Sequence, residues 1–161
     1  MRGPDSRRSF LIRWRVRKAA SHCFTLLDGG SLTAWARALR FAMGFRAAEG
    51  YATLELWPEV IEELGELPLV LRTAPGILRL ELRACVSLRD WERGMQVASR
   101  LGTMGSLDRM MAAGFYATLA REYFREGSHH DAKDALLRAV ATWPSCKDVV
   151  MKDPALVAAI L

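Results

Sequence analysis

Three sets of residues recur along this chain at nearly the same interval. Tyr51, Cys85 and Tyr123 follow one another at 34 and 38 positions, as do Trp57, Trp91 and His129, and Leu64, Ala98 and Leu136. A shared period near 34 predicts stacked helical hairpins, each sheltering its apolar face against its neighbours. Composition agrees. Leu, Ala, Arg and Glu are abundant and β-branched residues sparse, a mix that favours helices. The 161 residues, 51% hydrophobic and 25% charged, suffice for one globular domain with a real core.

The third copy is the fullest. It reads Tyr116-x-x-Leu119-Ala120-x-x-Tyr123, then Ala132-x-x-x-Leu136, then Pro144. With like-for-like changes this resembles the tetratricopeptide repeat (TPR) pattern W-x₂-L-G-x₂-Y…A-x₃-F…P. Its large–small–large order has a physical cause. A small residue on one helix, here Ala120, lets the second helix approach closely, and Ala132 does the same from the other side. The second copy runs Leu78, Leu82, Cys85, Gly94, Ala98, with Glu81 where the family places a leucine. The first runs Ala47, Ala48, Tyr51, Val60, Leu64, with Gly44 where the family places a large aromatic. The resemblance covers residues 43–157 and implies an all-α, TPR-like hairpin solenoid of about three repeats.

Local signals mark the hairpins. Pro58 suits the first turn of a second helix. Asp90 precedes Trp91 as an N-cap. Ser128-x-x-Asp131 reads as a capping-box variant, and Gly127 breaks the chain before it. Gly102 and Gly105 predict a longer linker, which would explain an interval of 38 rather than 34. Asp153-Pro154 predicts a last helix, Ala155 to Leu161, capping the open end of the stack.

Residues 1–42 differ. They hold nine basic residues against Asp5 and Asp28, a net of +7, so residues 43–161 carry −2 of the overall +5. The basic character belongs to an N-terminal extension, and the repeat domain spans 43–161. Within the extension Asp28-Gly29-Gly30 reads as a turn. Ser31 follows as N-cap of a helix carrying Leu32, Trp35 and Leu39 on one face. Ser6-Arg7-Arg8-Ser9-Phe10-Leu11 resembles a twin-arginine export signature, but Arg13, Arg15, Arg17 and Lys18 interrupt the apolar stretch such a signal needs. Arg13 to Arg17 alternate with Trp14 and Val16, so the alternative function is nucleic-acid or anionic-surface binding through this arm. The balanced charge of the remainder argues against nucleic acid as the main partner. The same break marks Met43 as a candidate first residue of the native chain.

The resemblance implies protein–protein interaction, with the first helix of each hairpin lining a concave groove for a peptide or partner segment. On that face stand Phe45 and Glu49, Arg79 and Arg83, and Arg121, Phe124 and Arg125. The two arginine pairs are each four residues apart and so share a helix face. They favour an acidic segment, because guanidinium forks pair bidentately with carboxylates. Chaperone-binding TPR proteins hold a C-terminal carboxylate with Lys and Asn in their first repeat. Phe45 and Glu49 take those places here, which argues against that specialised activity.

No catalytic constellation, cofactor motif or metal-ligand set stands out, so the sequence predicts no enzyme. His129, His130, Asp131 and Asp134 lack further ligands to complete a metal site, and they fit the polar start of a helix. Glu59, Glu62, Glu63 and Glu66 form a solvated helix face. His22-Cys23 are adjacent in sequence, which is not the spatial pairing a thiol nucleophile requires. Cys23, Cys85 and Cys146 show no metal spacing and fit free thiols in a reducing cytoplasm. No run of 18 apolar residues predicts a membrane span.

Overall fold

A computed structural model describes residues 30–150 together with Lys152 and Val157. The elements in order are α1 (Gly30–Thr53), α2 (Trp57–Glu66), α3 (Pro75–Leu88), α4 (Trp91–Leu101), α5 (Ser106–Arg125), α6 (His129–Thr142), a 3₁₀ turn (Pro144–Cys146) and α7 (Lys147–Val150). The described residues hold helices and no strand. The chain divides into two units, Met1–Ala42 and Met43–Leu161, and the packing below is that of the second.

The turns α1–α2, α3–α4 and α5–α6 share one geometry. Each contains a residue in the left-handed region: Glu55 at φ 57°, Arg89 at 56° and Gly127 at 80°. The next residue then donates its N–H back to the recurrent position. Leu56 N–H reaches Tyr51 O at 3.0 Å, Asp90 N–H reaches Cys85 O at 2.9 Å, and Ser128 N–H reaches Tyr123 O at 2.9 Å. A second, inner bond accompanies each: Glu55 to Ala52 O, Arg89 to Val86 O and Gly127 to Phe124 O. This is the Schellman closure of a helix C-terminus, made three times. Leu56, Asp90 and Ser128 then serve as N-caps of the following helices, with φ/ψ of −84°/68°, −82°/77° and −83°/69°.

Sequence signals at these ends fare unevenly. Pro58 does occupy the first turn of α2. The Asp90 carboxylate does cap α4, accepting from Arg93 N–H at 3.2 Å. Ser128 stands at the N-cap of α6, but its hydroxyl makes no capping bond. The capping-box reading therefore fails; the Schellman bonds fix this turn without it. The linker holding Gly102 and Gly105 is short, running only from Leu101 to Ser106. The longer interval arises instead because α5 has 20 residues where α3 has 14. Asp28 and Gly29 of the expected turn lie outside the described residues, as do residues 155–161 of the expected last helix apart from Val157, and the side chains of Leu32, Trp35 and Leu39. In backbone, α1 already includes Gly30.

Helices adjacent in the chain pack in succession: α2 on α3, α3 on α4, α4 on α5 and α5 on α6. In addition α3 packs on α5. Ala120 and Ala132 are both completely buried, which lets α5 and α6 approach as their small side chains predict. Tyr116, Leu119 and Leu136 fill the surrounding space and are buried as well. Leu78, Leu82, Val97, Ala98 and Leu101 continue this core through α3 and α4. Burying each Leu or Val contributes about 1.5–3 kcal/mol. Glu81 is accommodated on α3 by charge: its carboxylate lies 2.6 Å from Arg93 on the facing helix α4.

Gly94 marks the tightest approach. A Cβ there would lie 2.4 Å from Cε2 and 2.6 Å from Cζ of Phe115. The Phe115 ring sits against the bare α4 backbone, between Trp91 at 6.2 Å and Tyr116 at 5.6 Å.

Candidate peptide-binding groove

Two ion pairs fix the relation of α3 to α5. Near their N-terminal ends Arg79 donates to Asp108 at 3.0 Å. At the C-terminal end of α3, Arg89 lies 3.5 Å from Glu122, near the end of α5. Start meets start and end meets end, so the two helices run parallel. Parallel neighbours leave a furrow between them. Here it forms a hollow of about 340 Å³ lined by Trp57 from α2, by Leu82, Arg83, Val86 and Ser87 from α3, and by Met111, Gly114, Phe115 and Thr118 from α5.

The chemistry of the hollow follows from these side chains. Phe115 is nearly inaccessible and forms part of its floor. Gly114 presents bare backbone, with nothing within 4 Å of where a Cβ would be. Trp57 closes one side. The Arg83 guanidinium carbon lies 5.7 Å from the Trp57 ring centroid, a cation–π contact that holds an exposed cation at the rim. The hollow can therefore take an apolar side chain and offer Arg83 to a neighbouring carboxylate.

Of the seven residues predicted from sequence, Arg83 lines this hollow. Arg79 stands one turn before it but is turned to Asp108, whose side chain is 8% exposed. A buried carboxylate must be neutralised, and Arg79 does that, so this cation serves packing. Arg125 pairs with Glu122 at 2.5 Å, within its own helix. Arg121 is half-buried on the same α5 face, three residues beyond Thr118. The two arginine pairs thus do not present four free charges. Phe124 is directed to the core, its ring edge-on to His129 at 5.1 Å, where it braces the α5–α6 turn. Phe45 packs near the start of α3, its Cζ 3.8 Å from the Cβ position of Gly76. Glu49 is exposed on α1.

Sequence reasoning missed the other eight lining residues: Trp57, Leu82, Val86 and Ser87, and Met111, Gly114, Phe115 and Thr118 on α5. A signal existed for three of the four on α5. Extending the Arg121–Arg125 stripe backward at helical spacing reaches 118, 114 and 111.

Neither described thiol is activated as a thiolate. Burial pushes the Cys85 thiol up to about 11; Arg93 opposes the rise while Glu81 and Asp90 add to it. Burial raises Cys146 too, with a backbone hydrogen bond acting the other way. Both are free, and Cys23 lies outside the described residues. His130, exposed, lies 3.8 Å from Asp134 across one helical turn. No described helix is long and apolar enough to cross a membrane.

No family model, no curated protein and no solved structure matches this chain.

Proposed function

We propose that the protein is an interaction module, a short TPR-like stack of three hairpins whose groove between α3 and α5 takes a peptide or partner segment. The observation that carries this reading is the parallel pairing of two hairpin first helices around an open, largely apolar hollow with a cation at its rim. The repeated turn supports the stack. Glu55, Arg89 and Gly127 stand 34 and 38 positions apart, the spacing of the sequence repeat, and each closes its helix by the same two bonds. The packing of α3 on α5 is the contact a stack places between consecutive first helices.

In this reading an apolar side chain of the partner enters between Trp57 and Met111. Its backbone approaches α5 at Gly114, and a nearby carboxylate meets Arg83. The preference for acidic segments thus rests on Arg83 more than on converging arginine pairs.

The test begins by selecting peptides against the full chain from a random library and measuring binding by fluorescence anisotropy. Gly114→Leu places a side chain into open space, so it blocks the hollow without disturbing the core. It should weaken the selected peptides at least tenfold, about 1.4 kcal/mol. Arg83→Glu should weaken acidic peptides most and flatten their salt dependence. Selected peptides that bind Gly114→Leu as tightly as the parent would refute the groove assignment.

A further inference from the structure

A second hollow, of about 420 Å³, is lined by Leu64, Gly65, Leu69, Arg72, Thr73, Glu81, Arg93 and Arg100. It involves the α2–α3 connection and α4, and it shares no lining residue with the groove. Three guanidiniums and one carboxylate give it a net charge of +2. Two of the guanidiniums are held in place by bonds that leave donors unused. Arg72 donates Nε–H to Leu67 O at 2.7 Å and a second N–H to Gly65 O, which satisfies carbonyls at the end of α2. Arg93 directs Nε and one terminal nitrogen to Glu81 Oε1, at 2.7 and 2.6 Å. A guanidinium carries five N–H donors, so each retains some. The third, Arg100, is exposed in the last turn of α4.

The geometry points to a binding site for the phosphate group of a phosphorylated ligand. A phosphate monoester near neutral pH carries up to two negative charges and three terminal oxygens, which matches the charge and the spare donors here. Preset arginines lose less side-chain freedom on binding than mobile ones, which favours affinity. The hollow exceeds the size of a bare anion, and Leu64 and Leu69 offer apolar wall to the body of the ligand. That body belongs either to a small phosphate ester or to a phosphorylated peptide side chain.

Titrating the full chain with phenyl phosphate and, separately, with a phosphoserine hexapeptide tests the site. Ionic strength is held constant, and the arginine Nε–Hε resonances are followed by NMR. Saturable shifts with either probe support the site, and the tighter probe identifies the source of the phosphate. Arg100→Gln should weaken that binding at least about fivefold through the loss of charge-assisted donors, while Lys133→Gln, on exposed α6 surface, should leave it unchanged. Absence of saturation with both probes overturns the assignment. So does an Arg100→Gln variant that binds like the parent, or a Lys133→Gln variant weakened to the same extent.

Discussion

Gly94→Ala tests how closely α4 and α5 are packed. The added methyl would sit 2.4 Å from one Phe115 ring carbon and 2.6 Å from another, more than 1 Å inside ordinary contact. The ring has little room to retreat, being 2% exposed and flanked by Trp91 and Tyr116. Overpacking of this kind costs about 1–3 kcal/mol. Against it stands the better helix propensity of Ala, about 1 kcal/mol in a helix interior and less near an N-terminus such as this. Gly114→Ala supplies the reference. It makes the same chemical change in α5, with nothing within 4 Å of the new Cβ, so only the propensity gain remains. Gly114→Ala should therefore stabilise by about 0.5–1 kcal/mol. Gly94→Ala should fall below it by at least about 1–3 kcal/mol, the overpacking cost plus the shortfall in propensity gain near the helix start. Urea unfolding followed by tryptophan fluorescence measures both, with equal m-values as the check that unfolding remains comparable. Phe115→Leu combined with Gly94→Ala should recover part of the clash, because Leu lacks the offending ring atoms. If Gly94→Ala proves as stable as Gly114→Ala, the contact between Phe115 and the α4 backbone is wrong, and the floor of the groove with it.

The shared turns predict opposite responses to glycine: Gly127→Ala should cost about 1 kcal/mol, whereas Glu55→Gly should be neutral or stabilising, both read from urea midpoints. Arg79→Ala should destabilise more than Asp108→Ala, by about 1 kcal/mol or more, because only the first leaves a buried charge unpaired. A double-mutant cycle on that pair measures the coupling, and a value near zero would refute it. The folded chain holds the Cys85 proton more tightly than the unfolded chain does. Stability is thus full below pH 9 and declines as pH rises toward 11, and Cys85→Ala should decline less steeply over that range in urea titrations. At pH 8 Cys85 should resist thiol reagents while Cys146, half-exposed, reacts first among the two, as peptide mapping after labelling would show.

The helices were legible where one residue type suffices to set local geometry. Pro58 can start a helix but not sit deep within one, Asp90 supplies an acceptor to free N–H groups, and Gly127 tolerates positive φ. Pro58 and Asp90 marked where the other two turns fall, but their closure was hidden because Glu55 and Arg89 adopt the same left-handed conformation without the glycine that usually signals it. At Arg89 the pairing with Glu122 helps hold the strained residue, and that partner lies far along the chain. The groove was half legible for the same reason. Helical spacing placed Arg79 and Arg83 on one face correctly, but spacing says nothing of what stands opposite. Asp108, buried and 29 positions away, decides that Arg79 serves packing and Arg83 remains at the rim. Phe115 escaped notice because it lies beside Tyr116, outside the recurrent positions, and its burial depends on a missing side chain at Gly94.

The division of labour among the arginines carries a consequence for specificity. Paired cations at the two ends of the α3–α5 contact, Arg79 and Arg89, bind the helices to each other without adding net charge to the furrow between them. The hollow itself is a mostly apolar surface with Arg83 stacked on Trp57 at its edge. If the groove takes a peptide as proposed, apolar contact supplies most of the affinity, and Arg83 selects register and charge rather than driving capture. A groove lined by four unpaired arginines would bind acidic chains indiscriminately and release them as salt rises. In the proposed binding mode one cation fixed against an aromatic ring would discriminate by position, because a carboxylate placed a residue too early or too late could not reach it while its apolar neighbour occupied the hollow.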